Sequence, residues 1–306
     1  MFGVIGGAAF SAAPALLVQS LRWTEPGNEI DAIVTQPPTC LAFEARDKLV
    51  VQAGMALFNT PTLLGGQAAK AGLSCNSCHV NGRDNRYFQL PSLSGTAGTA
   101  DVSSSFFSAA RGNGVHDPVP IPDLAQPGKV SRATRDPALE HFIRNLIVEE
   151  FSGREPSQTA LSAVANYIRA IRPCEPGDRI RQNRQLSDQL SLIDAALDGA
   201  SAMQRQGDTP TAKLLIGGAR HQLGLIDERY SAKRFTAERR FLIDASTRLR
   251  KIADADKSSA IPALLDAWRQ DFDRKITSRL RAGEPHSLYS RKRIMAAFDG
   301  DIAKSK

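Results

Sequence analysis

Apolar residues recur at helical spacing along most of the chain, and this spacing predicts a mostly helical fold. From residue 178 onward the pattern is nearly unbroken. It predicts four amphipathic helices, which we place in an antiparallel bundle over residues 175–306, and a short fifth helix over 288–298. The apolar positions of the four helices are Leu186, Leu190, Ile193 and Leu197; Leu215, Ala219, Leu223 and Ile226; Leu242, Ala245, Leu249 and Ile252; and Ile261, Leu265, Trp268, Phe272 and Ile276.

The N-terminal half combines three predicted helices with a long irregular segment. Helical spacing marks residues 43–59, 137–151 and 158–171. Residues 60–135 are rich in Gly, Pro, Ser and Asn instead, and an irregular stretch of this length is typical of a segment that wraps something. Because prolines interrupt the chain after the last of these helices, we end this domain at residue 174. The predicted fold class is therefore all-α.

The first residues have the composition of a targeting segment. Phe2 to Val18 is apolar and contains the small-residue triplet Ala13-Pro14-Ala15, although the positive charge that usually precedes such a segment is missing. We interpret residues 1–19 as a signal peptide or an N-terminal membrane anchor and expect a periplasmic protein. Residues 20–42 are rich in proline and polar residues and are predicted to form an extended lead-in to the domain that ends at residue 174.

Composition and charge exclude several classes of protein. With 42% hydrophobic residues in 306, the chain can bury a large core, and four cysteines are too few for a disulfide scaffold. Residues 1–174 contain 14 basic and 14 acidic side chains, so the net charge of +7 lies entirely in residues 175–306. Because these charges alternate in sign and few aromatic residues accompany them, we expect no nucleic-acid partner. An acidic redox protein fits this surface better.

The clearest chemical signal is the pentapeptide Cys75-Asn76-Ser77-Cys78-His79. Two thiols at this spacing can add to the two vinyl groups of one haem, and the adjacent histidine then supplies a nitrogen ligand to the iron. A redox dithiol, a zinc site and a simple disulfide between the two cysteines are the alternatives. We expect one covalently attached haem c, held by Cys75, Cys78 and His79.

The residues around this motif resemble a known family. They are Ala53-Gly54-Met55-Ala56-Leu57-Phe58, Pro61, Leu63-Leu64-Gly65, Leu73-Ser74-Cys75, Cys78-His79, Gly82-Arg83 and Phe88. Over roughly residues 43–172 the chain is similar to the first haem domain of bacterial dihaem cytochrome c peroxidases and the related methylamine-utilisation haem proteins. The resemblance implies a cytochrome c-like helical haem domain in the periplasm, with His79 as the proximal iron ligand.

The chain departs from that family in one important respect, because it has no second Cys-x-x-Cys-His motif. Peroxidase turnover in the family passes electrons between two haems. We therefore expect an exported monohaem cytochrome that carries out one-electron transfer. The alternatives are a peroxidase-like haem oxidoreductase or sensor with an open distal site, and a protein in which haem is a structural core and the basic bundle is an interaction module.

The distal iron ligand is the main open question. No methionine lies between His79 and Met203, so His116, in a loop rich in Gly and Pro, is the first candidate. Tyr87 is the second candidate, although such a tyrosine more often packs on the edge of the haem. Met55 is expected to fill the core. If the site is open, Arg111 is a candidate for polarising a bound peroxide.

The remaining candidate residues have structural roles in this interpretation. Arg83 and Arg86 are expected to pair with the haem propionates, because guanidinium matches carboxylate geometry. We expect the other three histidines, which are His141, His221 and His286, to lie at the surface. In an exported protein the two leftover thiols, Cys40 and Cys174, are expected to form a disulfide that ties together the two ends of the haem domain.

Overall fold

The computed structural model describes residues 18–103, 107, 114–134, 136–175, 180–255 and 258–304. Over these residues the protein is mostly helical, with 63% helix and two small antiparallel sheets of two strands each, as the apolar pattern predicts. In this part of the chain, no helix combines the length and the apolar character that crossing a membrane requires. The predicted leader or anchor lies outside the described residues, except for its last two positions.

The elements follow one another with short connections in the C-terminal half and longer ones in the N-terminal half. The helices are α1 (Glu29–Val34), α2 (Lys48–Phe58), α3 (Pro61–Leu64), α4 (Gly66–Ala71), α5 (Cys75–Cys78), α6 (Ala138–Asn145), α7 (Gln158–Ala170), α8 (Leu186–Arg205), α9 (Thr209–Arg229), α10 (Thr236–Ala253), α11 (Ile261–Phe272), α12 (Ser278–Gly283) and α13 (Arg291–Lys304). The strands are β1 (Thr35–Gln36), β2 (Thr99–Ala100), β3 (Val119–Pro120) and β4 (Gln182–Asn183), and β1 pairs with β4 and β2 with β3.

The predicted helices of the N-terminal half are confirmed as α2, α6 and α7, and α6 continues through a π-helical turn at Leu146–Glu150. The prediction that residues 20–42 form an extended lead-in is wrong in part. A 3-10 helix occupies Gln19–Trp23 and α1 follows it. Ile33 and Val34 of α1 are buried in a small cluster with Ile294 of α13, so a contact with the far end of the chain favours the helix.

Helix α2 lies at the centre of the molecule. It packs on α7 and on both α8 and α9, so one hydrophobic core contains residues from both sides of the predicted boundary at residue 174. Farther along, α9 packs on α10, α10 on α11 and α11 back on α8. The helices after residue 174 are therefore attached to the N-terminal half through buried apolar side chains.

Two glycines permit the close approach of α2 to its neighbours. A Cβ atom at Gly54 would lie 1.9 Å from the carbonyl oxygen of Ala163 on α7, and a Cβ at Gly199 on α8 would lie 2.9 Å from the Cβ of Ala53. No side chain other than hydrogen fits at Gly54 unless the α2–α7 crossing opens.

Substituting Gly54 by alanine is expected to lower the free energy of unfolding by about 2–3 kcal/mol, since overpacking here strains two backbones. The matched control is Gly224→Ala. Gly224 lies inside α9, where a Cβ atom would have no other atom within 4 Å, so alanine is expected to stabilise by about 0.5–1 kcal/mol. Urea unfolding of both variants measures the difference. Equal urea midpoints for the two variants would contradict the close α2–α7 crossing at Gly54.

The predicted disulfide is confirmed. Cys40 and Cys174 are bonded, with their Cα atoms 5.4 Å apart, and the bond joins positions separated by 134 residues. The backbone reinforces it, because the Arg172 N–H donates to the Cys40 carbonyl at 2.9 Å and the Ala42 N–H donates to the Ala170 carbonyl at 2.8 Å. The end of α7 is thus fastened to the segment that precedes α2.

Replacing both Cys40 and Cys174 by alanine is expected to lower the free energy of unfolding by about 2–4 kcal/mol, because the unfolded chain loses its longest constraint. The measurement is a guanidinium titration with and without a reductant. Reductant should move the midpoint of the wild-type protein and leave that of the double variant in place. Finding two free thiols at these positions in the unreduced protein would contradict the assignment.

Candidate functional site

Local hydrogen bonds close the turn that carries Cys75 and Cys78 at both of its ends. Ser74 caps α5, since its side chain accepts from the backbone of Ser77 while the Ser77 hydroxyl accepts from the Ser74 N–H at 3.0 Å. At the other end the His79 N–H donates to the Cys75 carbonyl at 2.9 Å. Side chains three positions apart on a helical turn share a face, so the two thiols lie on one side. Neither forms a disulfide.

The imidazole of His79 is oriented by a backbone carbonyl from a distant segment. Its Nδ1 lies 3.0 Å from the carbonyl oxygen of Pro122. A carbonyl can only accept, so this contact places the proton on Nδ1 and leaves the lone pair on Nε2. Burial lowers the pKa of His79 to about 4, so the ring is neutral at physiological pH. A neutral imidazole with a fixed tautomer is the form that binds a metal ion.

The surrounding protein changes the acidity of the two thiols of the motif. Cys75, Cys78 and His79 are all partly exposed, yet the surrounding protein desolvates them strongly. Burial raises the pKa of both thiols to about 12. A pKa this high disfavours the thiolate, which argues against a reactive redox dithiol.

Aromatic side chains from two helices meet beside His79. The ring of Phe58, at the end of α2, lies 6.5 Å from the His79 ring between centroids and packs edge to face on Tyr167 of α7 at 5.2 Å. Phe58 and Tyr167 are both buried, and burial raises the pKa of the Tyr167 hydroxyl. The α2–α7 crossing at Gly54 therefore also sets the apolar wall beside His79.

An ion pair fixes the segment that carries Pro122. Arg83 binds the carboxylate of Asp123 at 3.1 Å and donates to the Arg172 carbonyl at 2.7 Å and to the Cys174 sulfur at 3.1 Å. Contacts thus run from the disulfide through Arg83 to Asp123, which is the residue beside Pro122. Sequence reasoning missed Pro122 and Asp123. It assigned Arg83 to a haem propionate, whereas the structure gives its guanidinium a carboxylate of the chain itself.

His116, the first candidate for a distal ligand, lies apart from this network. Its side chain is 52% exposed, and its Nδ1 is 4.0 Å from a carboxylate oxygen of the buried Asp101. No contact of the described residues joins His116 to Cys75, Cys78 or His79. Its role as an iron ligand stays a prediction.

The other candidates near the site have partners of their own. Tyr87 is buried, its ring lies under the guanidinium groups of Arg86 at 4.7 Å and Arg181 at 5.2 Å, and its hydroxyl accepts from Arg86 at 2.6 Å. Arg86, predicted to pair with a propionate, is therefore engaged with an aromatic neighbour. Arg111 lies outside the described residues.

The remaining methionine and histidines are dispersed. Met55 is partly buried against the core, as predicted. His141 and His286 are exposed, as predicted. His221 is half-buried rather than exposed, because it lines a pocket beside α9, and burial lowers its pKa to about 4. The i, i+4 pattern of α9 does not reveal this pocket, because its other lining residues come from distant segments of the chain.

Within the described part of the chain, no group of three or more His, Cys, Asp or Glu side chains is arranged to hold a metal ion. A zinc site made of protein ligands alone therefore has no support there. Comparison with protein-family models, with curated proteins and with solved structures gives no match for this chain.

Proposed function

We propose that this protein is an exported c-type cytochrome that carries one haem c, attached through Cys75 and Cys78 and ligated by His79, and that it transfers single electrons. The observation that carries the proposal is the His79–Pro122 contact beside two unbonded thiols on one turn. It supplies a fixed, neutral imidazole next to two partly exposed sulfurs. A redox dithiol does not require such a histidine, and a zinc site requires further ligands.

The residues of the motif fit the chemistry of attachment. Each thiol adds across one vinyl double bond, so that its sulfur gains a C–S bond and its proton ends on the neighbouring carbon. No atom leaves and no oxidant is needed. A thiol with a raised pKa is protonated before this addition, so Cys75 and Cys78 resist oxidation until they react. Bound haem supplies an iron that gains or loses one electron.

The chain's own groups would hold and shield this centre. The Nε2 lone pair of His79 is directed away from Pro122 and is available as a ligand. The Phe58 ring lies beside that imidazole and gives it an apolar neighbour. We infer a cytochrome c-like fold for residues 20–174, followed by an antiparallel helical bundle over 175–306. This division follows chain order only, since α2 packs on α8 and α9 as well as on α7 and the two parts share one hydrophobic core.

The disulfide supports the proposed location. A bond between Cys40 and Cys174 is consistent with an oxidising compartment, which is also where haem is attached to Cys-x-x-Cys-His motifs. We propose a periplasmic protein whose residues 1–19 direct export or serve as an anchor. Its electron partner is proposed to be an acidic protein that docks on the basic residues of the bundle, and added salt should then slow electron delivery.

A second candidate, a peroxidase-like oxidoreductase or haem sensor with an exchangeable iron position, is favoured by the placement of His116 and Tyr87. His116 is exposed, and the Tyr87 ring is in contact with the guanidinium groups of Arg86 and Arg181, so neither is committed to a second ligand position. Carbon monoxide separates the two functions. An electron carrier with two protein ligands keeps its ferrous spectrum under carbon monoxide. An immediate spectral change would favour the second candidate and overturn the first.

A further inference from the structure

The carbonyl of Pro122 belongs to a short segment, residues 121–125, that two arginines join to the end of helix α7. Arg83 reaches this segment from the turn after His79, and Arg132 reaches it from the chain that follows the segment. We call these two side chains the arginine clamp. Each of them donates to the segment with one terminal nitrogen and to the end of α7 with the other.

Arg83 makes the charged contact of the clamp. Its Nη1 lies 3.1 and 3.3 Å from the two carboxylate oxygens of Asp123, and its Nη2 donates to the Arg172 carbonyl at 2.7 Å. The side chains of Arg83 and Asp123 are only 13% and 18% exposed, so water screens this ion pair less than one at the surface. Asp123 also accepts from the Ala125 N–H at 2.8 Å, which fixes the carboxylate.

Arg132 makes the second contact of the clamp through neutral oxygens. Its Nη2 donates to the Leu124 carbonyl and its Nη1 to the Ile168 carbonyl. Ile168 lies in the last turn of α7, where carbonyl oxygens have a partial negative charge that favours a nearby guanidinium group. Sequence reasoning missed Arg132, because both of its partners are backbone atoms, 8 and 36 positions away.

Backbone hydrogen bonds tie the same segment to the turn that carries His79. The Leu124 N–H donates to the Gly82 carbonyl at 3.0 Å, and the Gly82 N–H donates to the His79 carbonyl at 2.8 Å. Pro122 has no N–H, and its ring fixes φ. The position of its carbonyl therefore depends on the two residues that follow it, Asp123 and Leu124, and these are the residues that the clamp holds.

We propose that Arg83 and Arg132 are positioning residues. They hold the Pro122 carbonyl on Nδ1 of His79 and so lower the reduction potential of the haem that His79 ligates. This role rests on the proposed function and adds the means by which the chain sets its potential. A fixed Nδ1–H bond makes the imidazole a stronger donor to the iron. A stronger donor stabilises ferric iron relative to ferrous iron, so the potential is lower while the clamp is intact.

The sign of the effect separates positioning from simple electrostatics. If Arg83 acted only through its charge, Arg83→Gln would make the iron harder to reduce and would lower the potential. Loosening the clamp has the opposite effect, because the imidazole becomes a weaker donor. Arg83→Gln and Arg132→Gln are therefore each expected to raise the reduction potential. Arg83→Lys keeps the charge but lacks the planar fork, so its potential is expected to lie between those of the wild-type protein and Arg83→Gln.

Arg172→Gln is the matched control. The Arg172 guanidinium also lies at the end of α7, but it donates to the carbonyls of Arg169 and Ile171 and forms no hydrogen bond with residues 121–125 of the described chain. This variant removes the same charge and leaves the clamp in place. The Arg172 carbonyl that Arg83 binds is a backbone group and is retained. The reduction potential of Arg172→Gln is expected to stay unchanged or to fall.

The test is a redox titration of the wild-type protein and these variants, each isolated at full length from a periplasm that attaches haem. A rise in Arg83→Gln and in Arg132→Gln, with none in Arg172→Gln, is the expected result. A fall or no change in both clamp variants overturns the proposal, and so does an equal rise in Arg172→Gln. A melting curve of each variant checks folding, and Arg83→Lys serves where Arg83→Gln does not fold.

If the chain is isolated without haem, the proposed function fails and the clamp is tested by itself. Nitrogen NMR of the full-length chain labelled at histidine then reports which ring nitrogen of His79 holds the proton, and His79→Gln identifies its signals. The wild-type chain is expected to be in the Nδ1–H form. Arg83→Gln and Arg132→Gln should shift the ratio towards the Nε2–H form by roughly fivefold to tenfold, since one hydrogen bond is weakened. An unchanged ratio in both variants overturns the proposal.

Discussion

A Cys75→Ser/Cys78→Ser variant is expected to contain no covalently attached haem. Serine hydroxyls do not add to the vinyl groups, so both bonds between haem and chain are lost while the turn keeps its shape. That shape depends on hydrogen bonds of Ser74 and Ser77 rather than on the thiols. The variant and the wild-type protein are to be produced in a periplasm that attaches haem and compared by haem staining after denaturing electrophoresis.

The other two cysteines provide the control for this experiment. Cys40 and Cys174 are already bonded to each other, so a Cys40→Ser/Cys174→Ser variant is expected to keep its haem stain at the wild-type level per folded chain. Loss of the stain only in the Cys75/Cys78 variant assigns attachment to that turn. If wild-type and Cys75/Cys78 variant proteins stain alike, the assignment is wrong.

Substituting Arg169 by leucine is expected to lower the free energy of unfolding by about 3–5 kcal/mol at neutral pH. Arg169 of α7 and Glu140 of α6 are both buried and form a two-pronged ion pair at 2.7 Å, and Arg169 also donates to the Asp136 carbonyl. Leucine leaves the Glu140 charge buried and unpaired. The Arg169→Leu/Glu140→Leu double variant should recover much of the loss, because it removes both charges.

The pH dependence of this effect has a definite sign. Hydrogen bonds from Arg169 hold the pKa of Glu140 below its ordinary value of 4.5. A carboxyl with a lowered pKa stabilises the folded protein above that value and loses its contribution as the pH falls through the folded pKa. The difference between wild-type protein and Arg169→Leu should therefore narrow below about pH 4.5. Urea unfolding between pH 3 and 7 measures it, and a difference that widens in acid would contradict the pairing.

Periodicity predicted the long helices well because each buries one continuous face, as Leu242, Ala245 and Leu249 do on α10. It failed where distant segments decide burial. Phe142 repeats with the apolar face of α6 yet is 59% exposed, and α1 forms in a segment that was predicted to be extended. Neither departure has a local cause in the sequence.

In the candidate site, too, some features follow from the local sequence and others depend on distant segments of the chain. The spacing Cys75-x-x-Cys78-His79 is local chemistry and can be identified from sequence alone. The partner of His79 is the carbonyl of Pro122, 43 positions away, and carbonyls carry no sequence signature. The role of Asp123 depends on Arg83 and on the disulfide-tied end of α7. The pairing of Cys40 with Cys174, by contrast, follows from export and from the two cysteines left over by the motif.

The most direct test of the central claim is acid–acetone extraction of the wild-type protein matured in a haem-attaching periplasm, followed by intact-mass measurement of the chain. Covalent haem is expected to stay with the polypeptide and to add the mass of one haem. The spectrum in alkaline pyridine should then correspond to one haem c per chain. If the solvent removes all colour and the chain has its unmodified mass, then Cys75, Cys78 and His79 do not form a haem c site.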